Sequence, residues 1–421
     1  MRKRDISERA CGGEGAIATG QPPTQPAKSS RNINLAPSGP VNVYLGSAKP
    51  TAWIGNADEA TVRRVASHTA GLPEHYHFFY VHEPGHVPSM DETIRRYGNI
   101  TTPPGERFQY SNLGYGVLGY VLPRAFEKSL GRVLKDEVFR PLGMKNAHFG
   151  ADACTRCAVR YNDDGIPLPR YAFDHPGASA AWVSAHDLVL FGLFHCGTPL
   201  PSQKRILSDA RRREMQVIPE DQQRGYAIGW NVWRHPSGYT VIFHGGNMPG
   251  ASADLTIIPE KGIVVAIVSN RSSNLPFRIN DEIIYNTLLP QPPATAQSKP
   301  TVPEAAVPDS IPPKELVGLW TGVVHTYQGV RPLRLEIHDS GDVDVTLCGA
   351  TTNLNKTSLH SSGLTGEFIG DLGISDARPD SLLALSLTQR SGRLTGVVTA
   401  YSRPGGRIEY GLSQWAEVSR H

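Results

Sequence analysis

Two short stretches hold the residue types in this chain best suited to chemistry. The first is Tyr110-Ser111-Asn112, a phenol, a hydroxyl and a carboxamide in a row. The second is His244-Gly245-Gly246-Asn247, at the end of the apolar run 241–243. A phenol can hold or pass a proton, and a carboxamide can orient an amide. Paired glycines after a strand let a ligand lie against bare backbone, and a histidine beside them offers a hydrogen-bonding or cationic head. A His-Gly-Gly at a strand end is also what a bulge or turn looks like. Tyr110 read alone would be an ordinary core tyrosine.

The wider sequence favours a cleft. In order, the chain carries Ser67-His68-Thr69-Ala70-Gly71, Pro104-Gly105, Tyr110-Ser111-Asn112, Pro141-Leu142-Gly143-Met144, His244-Gly245-Gly246 and Pro249-Gly250. From about residue 41 to about 290 this order resembles the serine β-lactamase and penicillin-binding-protein-like family, in its class C, esterase and D-alanyl-D-alanine carboxypeptidase branch. The resemblance implies an α+β, β-lactamase/transpeptidase-like fold and amide or ester hydrolysis through an acyl-serine. It implies Tyr110 as general base and Asn112 orienting a substrate amide. His244 would anchor the substrate, and the Asn247 N–H would form half of an oxyanion hole. Ser111, Gly245 and Gly246 complete the expected substrate-binding set, with no metal and no cofactor.

The family's third motif is Ser-x-x-Lys at the start of a buried helix. Residues i and i+3 share a helix face, so the amine reaches the hydroxyl. No lysine of this chain has a serine three residues before it. Ser47-Ala48-Lys49 has the wrong spacing and is followed by Pro50. By the family's order the pair would fall near residues 10 to 20, where Gly12-Gly-Glu-Gly-Ala-Ile-Ala-Thr19 stands. The fold is therefore expected to be incomplete at its N-terminal part. A cavity is expected beside helices 113–122 and 188–194. The function expected is that of a truncated hydrolase relative with little or no activity. The alternative is a pseudoenzyme that binds peptide or acyl ligands. Ser111 as a replacement nucleophile is a weaker third reading.

The elements that position these residues are legible from periodicity and caps. Asn56 and Glu59 mark a helix start with Val62, Val65 and Ala66 on one face; Ser89 and Glu92 mark a second. Leu113, Val117, Leu118, Val121 and Leu122 form the buried stripe of the helix after Asn112. Ser184 opens a helix apolar nearly all round, and Ser208 opens an arginine-rich one. Strands are expected over 226–233, 239–243, 253–258 and 263–268, the last two joined by the turn Pro259-Glu-Lys-Gly262, with a closing helix at 283–289.

Composition bounds the rest. With 421 residues there is room for two cores, and the balance of 42 Lys+Arg against 39 Asp+Glu argues against nucleic acid or a membrane surface as partner. A small-molecule or peptide substrate is the expected partner, and no run is long enough for a membrane span. The basic start Met1-Arg-Lys-Arg lacks a following apolar core, so the chain as written is expected to be cytoplasmic, although the resembled family works mostly outside the membrane. Cys11, Cys154, Cys157, Cys196 and Cys348 read as ordinary thiols. His75 and His77, in a histidine-rich segment with His68, His82 and His86, read as packing or surface residues rather than metal ligands. Residues 1–40 read as disordered, 41–290 as the β-lactamase-related domain, 291–314 as a proline-rich linker and 315–421 as a small antiparallel β-barrel domain, resembling the lipocalin-like domain appended to this family.

Overall fold

The computed structural model describes residues 35–81, 86–150, 157–289, 312–402 and 407–420. The calls on residues 1–34, on most of the proline-rich linker and on His82, Cys11 and Cys154 lie outside the described residues.

A five-stranded antiparallel sheet runs in chain order through Arg224–Tyr226, Asn231–Arg234, Thr240–Met248, Ala251–Ile258 and Ile263–Ser269, the last strand forming one edge. The strand expected over 226–233 is two strands, because the chain turns at Gly229, which sits at φ +77°. The strand expected to stop at residue 243 runs on to Met248, so His244, Gly245, Gly246 and Asn247 lie within it rather than after it. Glycine tolerates the pleat here because the neighbouring strand supplies the ladder: Gly245 pairs with Asp254 and Gly246 with Ala253. The helix Ala185–Cys196 packs on one face of this sheet, against Leu255 and Ile257, and Leu275–Asp281 with the following turn Glu282–Leu288 packs on the other, where Asn280 meets Asp254 and Thr256.

Caps behave as the side chains dictate. Ser89 and Glu92 close a reciprocal capping box on Met90–Tyr97, and Ser184 Oγ accepts from the Asp187 N–H. The first expected helix is instead a short 3-10 turn, Ala57–Glu59 capped by Asn56, and a separate helix Val62–Ala66 capped by Thr61.

The C-terminal part is a nearly closed antiparallel sheet of nine strands from Gly318 to Arg420, in which Ala350–Asn353 approaches Gly363–Gly370. Its barrel-like interior follows from alternation: Val343, Val345 and Leu347 are buried, as are Leu383, Leu385 and Leu387. Four of its strands escaped the sequence reading: Ala350–Asn353, Asn355–His360, Gly363–Gly370 and Tyr410–Arg420. The strand His75–Tyr80 pairs with Tyr410–Arg420 through residues 75–77 and with Tyr171–Phe173 through residues 78–80.

The apolar stripe of helix Asn112–Phe126, beside which a cavity was expected, is packed among the described residues. Leu113, Val117 and Val121 are fully buried, in one apolar cluster with Val62, Ile94, Tyr97 and C-terminal residues such as Trp320 and Leu412. The core around this helix is thus continuous with that of the C-terminal sheet, while the five-stranded sheet keeps apolar clusters of its own. Cys196 and Cys348 are free thiols as expected, whereas Cys157 is disulfide-bonded, which corrects the reading of five ordinary thiols.

Candidate functional site

Ser111 is the N-cap of Asn112–Phe126. Its Oγ accepts from the Gly114 N–H at 3.1 Å, and its own N–H donates to His68 Nδ1 at 3.1 Å. The residue is only 2% exposed. The hydroxyl oxygen therefore caps the helix end from a buried position. Asn112 is the first helical residue, half-buried, and its side chain makes no hydrogen bond among the described residues. Close packing fixes this helix in place: a Cβ on Gly119 would lie 2.6 Å from the Gly177 Cα, so only glycine lets the two backbones approach.

His68 holds the centre. It adopts φ +56°, a left-handed conformation that histidine tolerates better than most residues, and is 3% exposed. Because Nδ1 accepts the Ser111 N–H, the neutral ring carries its proton on Nε2, which has no hydrogen-bond partner among the described residues. Its ring centroid lies 4.2 Å from that of Tyr110, 4.7 Å from Tyr226, 5.2 Å from Tyr115 and 5.9 Å from Phe108. Tyr226 lies 6.4 Å from Tyr110 and 6.1 Å from His244. The structure thus brings Tyr110 and His244 to one aromatic cluster, joined by His68 and Tyr226.

The charges in this cluster are set by desolvation. Burial, helped by nearby His244, pulls the His68 pKa down to about 3. Burial also lowers His244, against a backbone hydrogen bond at Gly245 that raises it. Of the two heads the sequence allowed, hydrogen-bonding or cationic, burial favours the neutral hydrogen-bonding ring. Burial and the charge of Glu74 hold the Tyr110 phenol above its usual range, so at neutral pH Tyr110 keeps its proton and has a hydrogen bond to donate.

The two glycines differ. A Cβ on Gly245 would stand 2.2 Å from Phe277 Cε1, whereas one on Gly246 would meet nothing within 4 Å. Gly245 is thus required by packing, and exposed Gly246 shares the sheet face of His244 as bare backbone. Asn247 is exposed, and its Oδ1 accepts from Ser272 Oγ at 2.7 Å.

His75, Asp174 and His175 form a separate buried cluster whose ligand-type atoms lie within 4.8 Å of one another. His75 Nε2 is 2.7 Å from Asp174 Oδ2, and His175 Nδ1 is 2.6 Å from Asp174 Oδ1. Two ligands at about 2 Å from one tetrahedral zinc stand roughly 3.3 Å apart, so these are hydrogen-bond lengths.

Sequence reasoning missed Phe108, Tyr115 and Tyr226 as members of the cluster, and placed His68 only in the family's motif order and in a histidine-rich segment. Phe108 was visible as an aromatic two residues before Tyr110; for Tyr226 there was no signal beyond its place at a strand.

The comparisons with known proteins concern the fold and the family. A fungal relative, "Unguisins hydrolase ungD'" of Aspergillus campestris, is 25% identical over 248 residues, 55% of this chain and 46% of its own length. The chain thus spans about half the length of the curated relatives it matches. Among solved structures, SurE aligns with 90% of this chain and 82% of its own at TM-score 0.51 and 19% identity. The octameric penicillin-binding protein homologue from Pyrococcus abyssi aligns with 91% and 83% at TM-score 0.50 and 19% identity, and both likenesses concern the fold. The Beta-lactamase family model matches residues 35–286, and the chain belongs to that family.

Proposed function

We propose that the cleft walled by Tyr110, Asn112, His244 and the Gly246–Asn247 backbone binds small acyl or peptide ligands, and that these 421 residues catalyse little or no hydrolysis by themselves. The observation that carries this reading is the convergence of Tyr110 and His244 on His68 and Tyr226, in a sequence with no Ser-x-x-Lys. Acyl transfer through serine needs a hydroxyl and a base within hydrogen-bond reach. Ser111 is committed to its cap, and Tyr110 is a protonated phenol. In this reading Tyr110 donates to a ligand carbonyl, the free Asn112 amide orients a ligand amide, and Asn247 N–H offers a second donor. The C-terminal sheet is an accessory, lipocalin-like unit.

A second reading, supported by the hydrolase name of the fungal relative, is that the fold retains amide or ester hydrolysis. Calorimetry with an N-acyl dipeptide, run beside a p-nitrophenyl ester turnover assay, separates the two. Binding that weakens about tenfold in Tyr110→Phe, without ester turnover above the buffer rate, supports the binding role; turnover lost in the same variant overturns it.

A further inference from the structure

The C-terminal sheet touches the cleft-bearing stretch from both ends of one strand. Tyr401 closes the strand Arg393–Tyr401, and its hydroxyl donates to Glu74 Oε2 at 2.6 Å across 327 positions of sequence. At the other end Ser391 and Gly392 make a two-residue hairpin turn between Arg390 and Arg393, both at positive φ. Arg390, at the mouth of that turn, forms an ion pair with Glu106. The nine residues of the strand separate the two contacts by about 27 Å.

Both carboxylates belong to segments that carry the cleft. Glu74 follows Gly71, whose carbonyl accepts from the Thr101 N–H at 2.8 Å. A Cβ on Gly71 would stand 1.9 Å from the Thr102 carbonyl oxygen, so the two segments lie against one another through bare backbone. Glu106 opens the run to Phe108 and Tyr110. Within it the Gly105 N–H donates to the Thr69 carbonyl and the Gln109 N–H to the His68 carbonyl, each at 2.7 Å. Residues 68–74 and 101–111 are therefore one hydrogen-bonded unit, with Tyr110 inside it.

The junction at Glu74 is closely built. Its backbone carbonyl accepts from Ser413 Oγ at 2.7 Å, and Ser413 Oγ lies 2.8 Å from Thr399 Oγ1, both residues buried. A Cβ on Gly411 would stand 2.6 Å from Tyr76 Cε1 and 3.0 Å from Tyr401 Cε1. The carboxylate held there acts on the cleft, since after burial it is the Glu74 charge that raises the Tyr110 phenol. An ion pair as exposed as Arg390–Glu106 adds little to stability. What it supplies is position, because it fixes the start of the loop that ends at Tyr110.

We propose that Tyr401 and Arg390 are positioning residues of the cleft, acting through Glu74 and Glu106 to hold Tyr110 where a ligand carbonyl meets it. The inference rests on the donor role given to Tyr110 above. It gives the C-terminal sheet a share in binding that a merely appended unit would lack.

Fluorine NMR of the ligand-free, fluorotyrosine-labelled full chain reads the surroundings of Tyr110 directly, its signal assigned by loss in Tyr110→Phe. Tyr401→Phe deletes one hydroxyl and Arg390→Gln one charge. Each is expected to shift the Tyr110 signal and to speed exchange of the Gln109 and Ser111 amides at least tenfold, with unchanged circular dichroism. Arg390→Lys keeps the charge and should return the exchange to within twofold of wild type. Arg390 is partly exposed, so its variants keep the test valid if Tyr401→Phe fails to fold. In calorimetry with the N-acyl dipeptide, the first two variants should bind three- to tenfold more weakly. A Tyr110 signal and amides that stay at wild-type values in the folded variants overturn the proposal, whether or not the dipeptide binds. A wild-type chain that binds no dipeptide, while the Tyr110 signal still moves in the variants, upholds the positioning and removes only the binding role.

Discussion

Acidifying the protein should unfold it through histidines that burial keeps neutral, and His68 allows the size of the effect to be worked out. In the unfolded chain its pKa is near 6.5; in the native protein it is about 3. Between those values the unfolded state binds a proton that the native state refuses, so stability falls as pH drops below 6.5. At pH 5 the gap is ~1.5 units at ~1.36 kcal/mol each, or about 2 kcal/mol. His195, 2% exposed and lowered to about 4 by burial and Arg212, loses about the same. Asp254 acts in the opposite sense. Burial raises it to about 6, so its proton uptake between pH 7 and 5 returns roughly 1 kcal/mol. His77, likewise lowered to about 4 by burial, adds a further loss of about 2 kcal/mol, so the net expectation is a loss of about 5 kcal/mol between pH 7 and 5, a large share of the ~5–15 kcal/mol typical of a folded domain. Urea denaturation at pH 7, 6 and 5 measures it. His68→Asn keeps an acceptor near the Ser111 N–H and tolerates the left-handed backbone, and it should shrink the pH-dependent loss by about 2 kcal/mol. A wild-type profile that is flat or rises on acidification refutes the argument, as does a variant with an unchanged slope.

Other outcomes follow from single contacts. Gly245→Ala should cost about 1–3 kcal/mol by overpacking against Phe277, and Phe277→Ala in the same chain should recover part of that cost in a denaturation cycle. Gly246→Ala should change stability by no more than ~0.5 kcal/mol, yet weaken ligand binding in calorimetry by covering the bare backbone. Asp174→Asn leaves His75 and His175 without their shared buried carboxylate and should cost about 3–5 kcal/mol in urea melts. Because His244 is held neutral, the affinity for a carboxylate ligand should stay flat from pH 8 to 6.5 rather than strengthen toward acid.

What the sequence revealed and what it hid have physical reasons. Ser89, Ser184 and Ser208 mark their helices because a cap is a local hydrogen bond between neighbouring residues. The hairpin through Pro259 and Gly262 is local in the same way. The meeting of Tyr110 with His244 was expected from the family's motif order, whereas the residues that join them depend on tertiary packing. His68 reaches Ser111 across 43 positions, and Tyr226 reaches the cluster from a short edge strand. The missed strand Asn355–His360 breaks alternation with a register shift between Asn355 and Ser358, which erased its period-two signal. The neutral state of His244 was hidden as well, because desolvation depends on what folds over a ring and not on its neighbours in the chain.

The most direct measurement is the intact mass of the protein after exposure to a fluorophosphonate and, separately, to a fluorescent penicillin. With Ser111 tied to its cap and no lysine three residues after any serine, the account predicts an unchanged mass with both reagents. A stoichiometric adduct that peptide mapping places on a serine beside Tyr110 would contradict it.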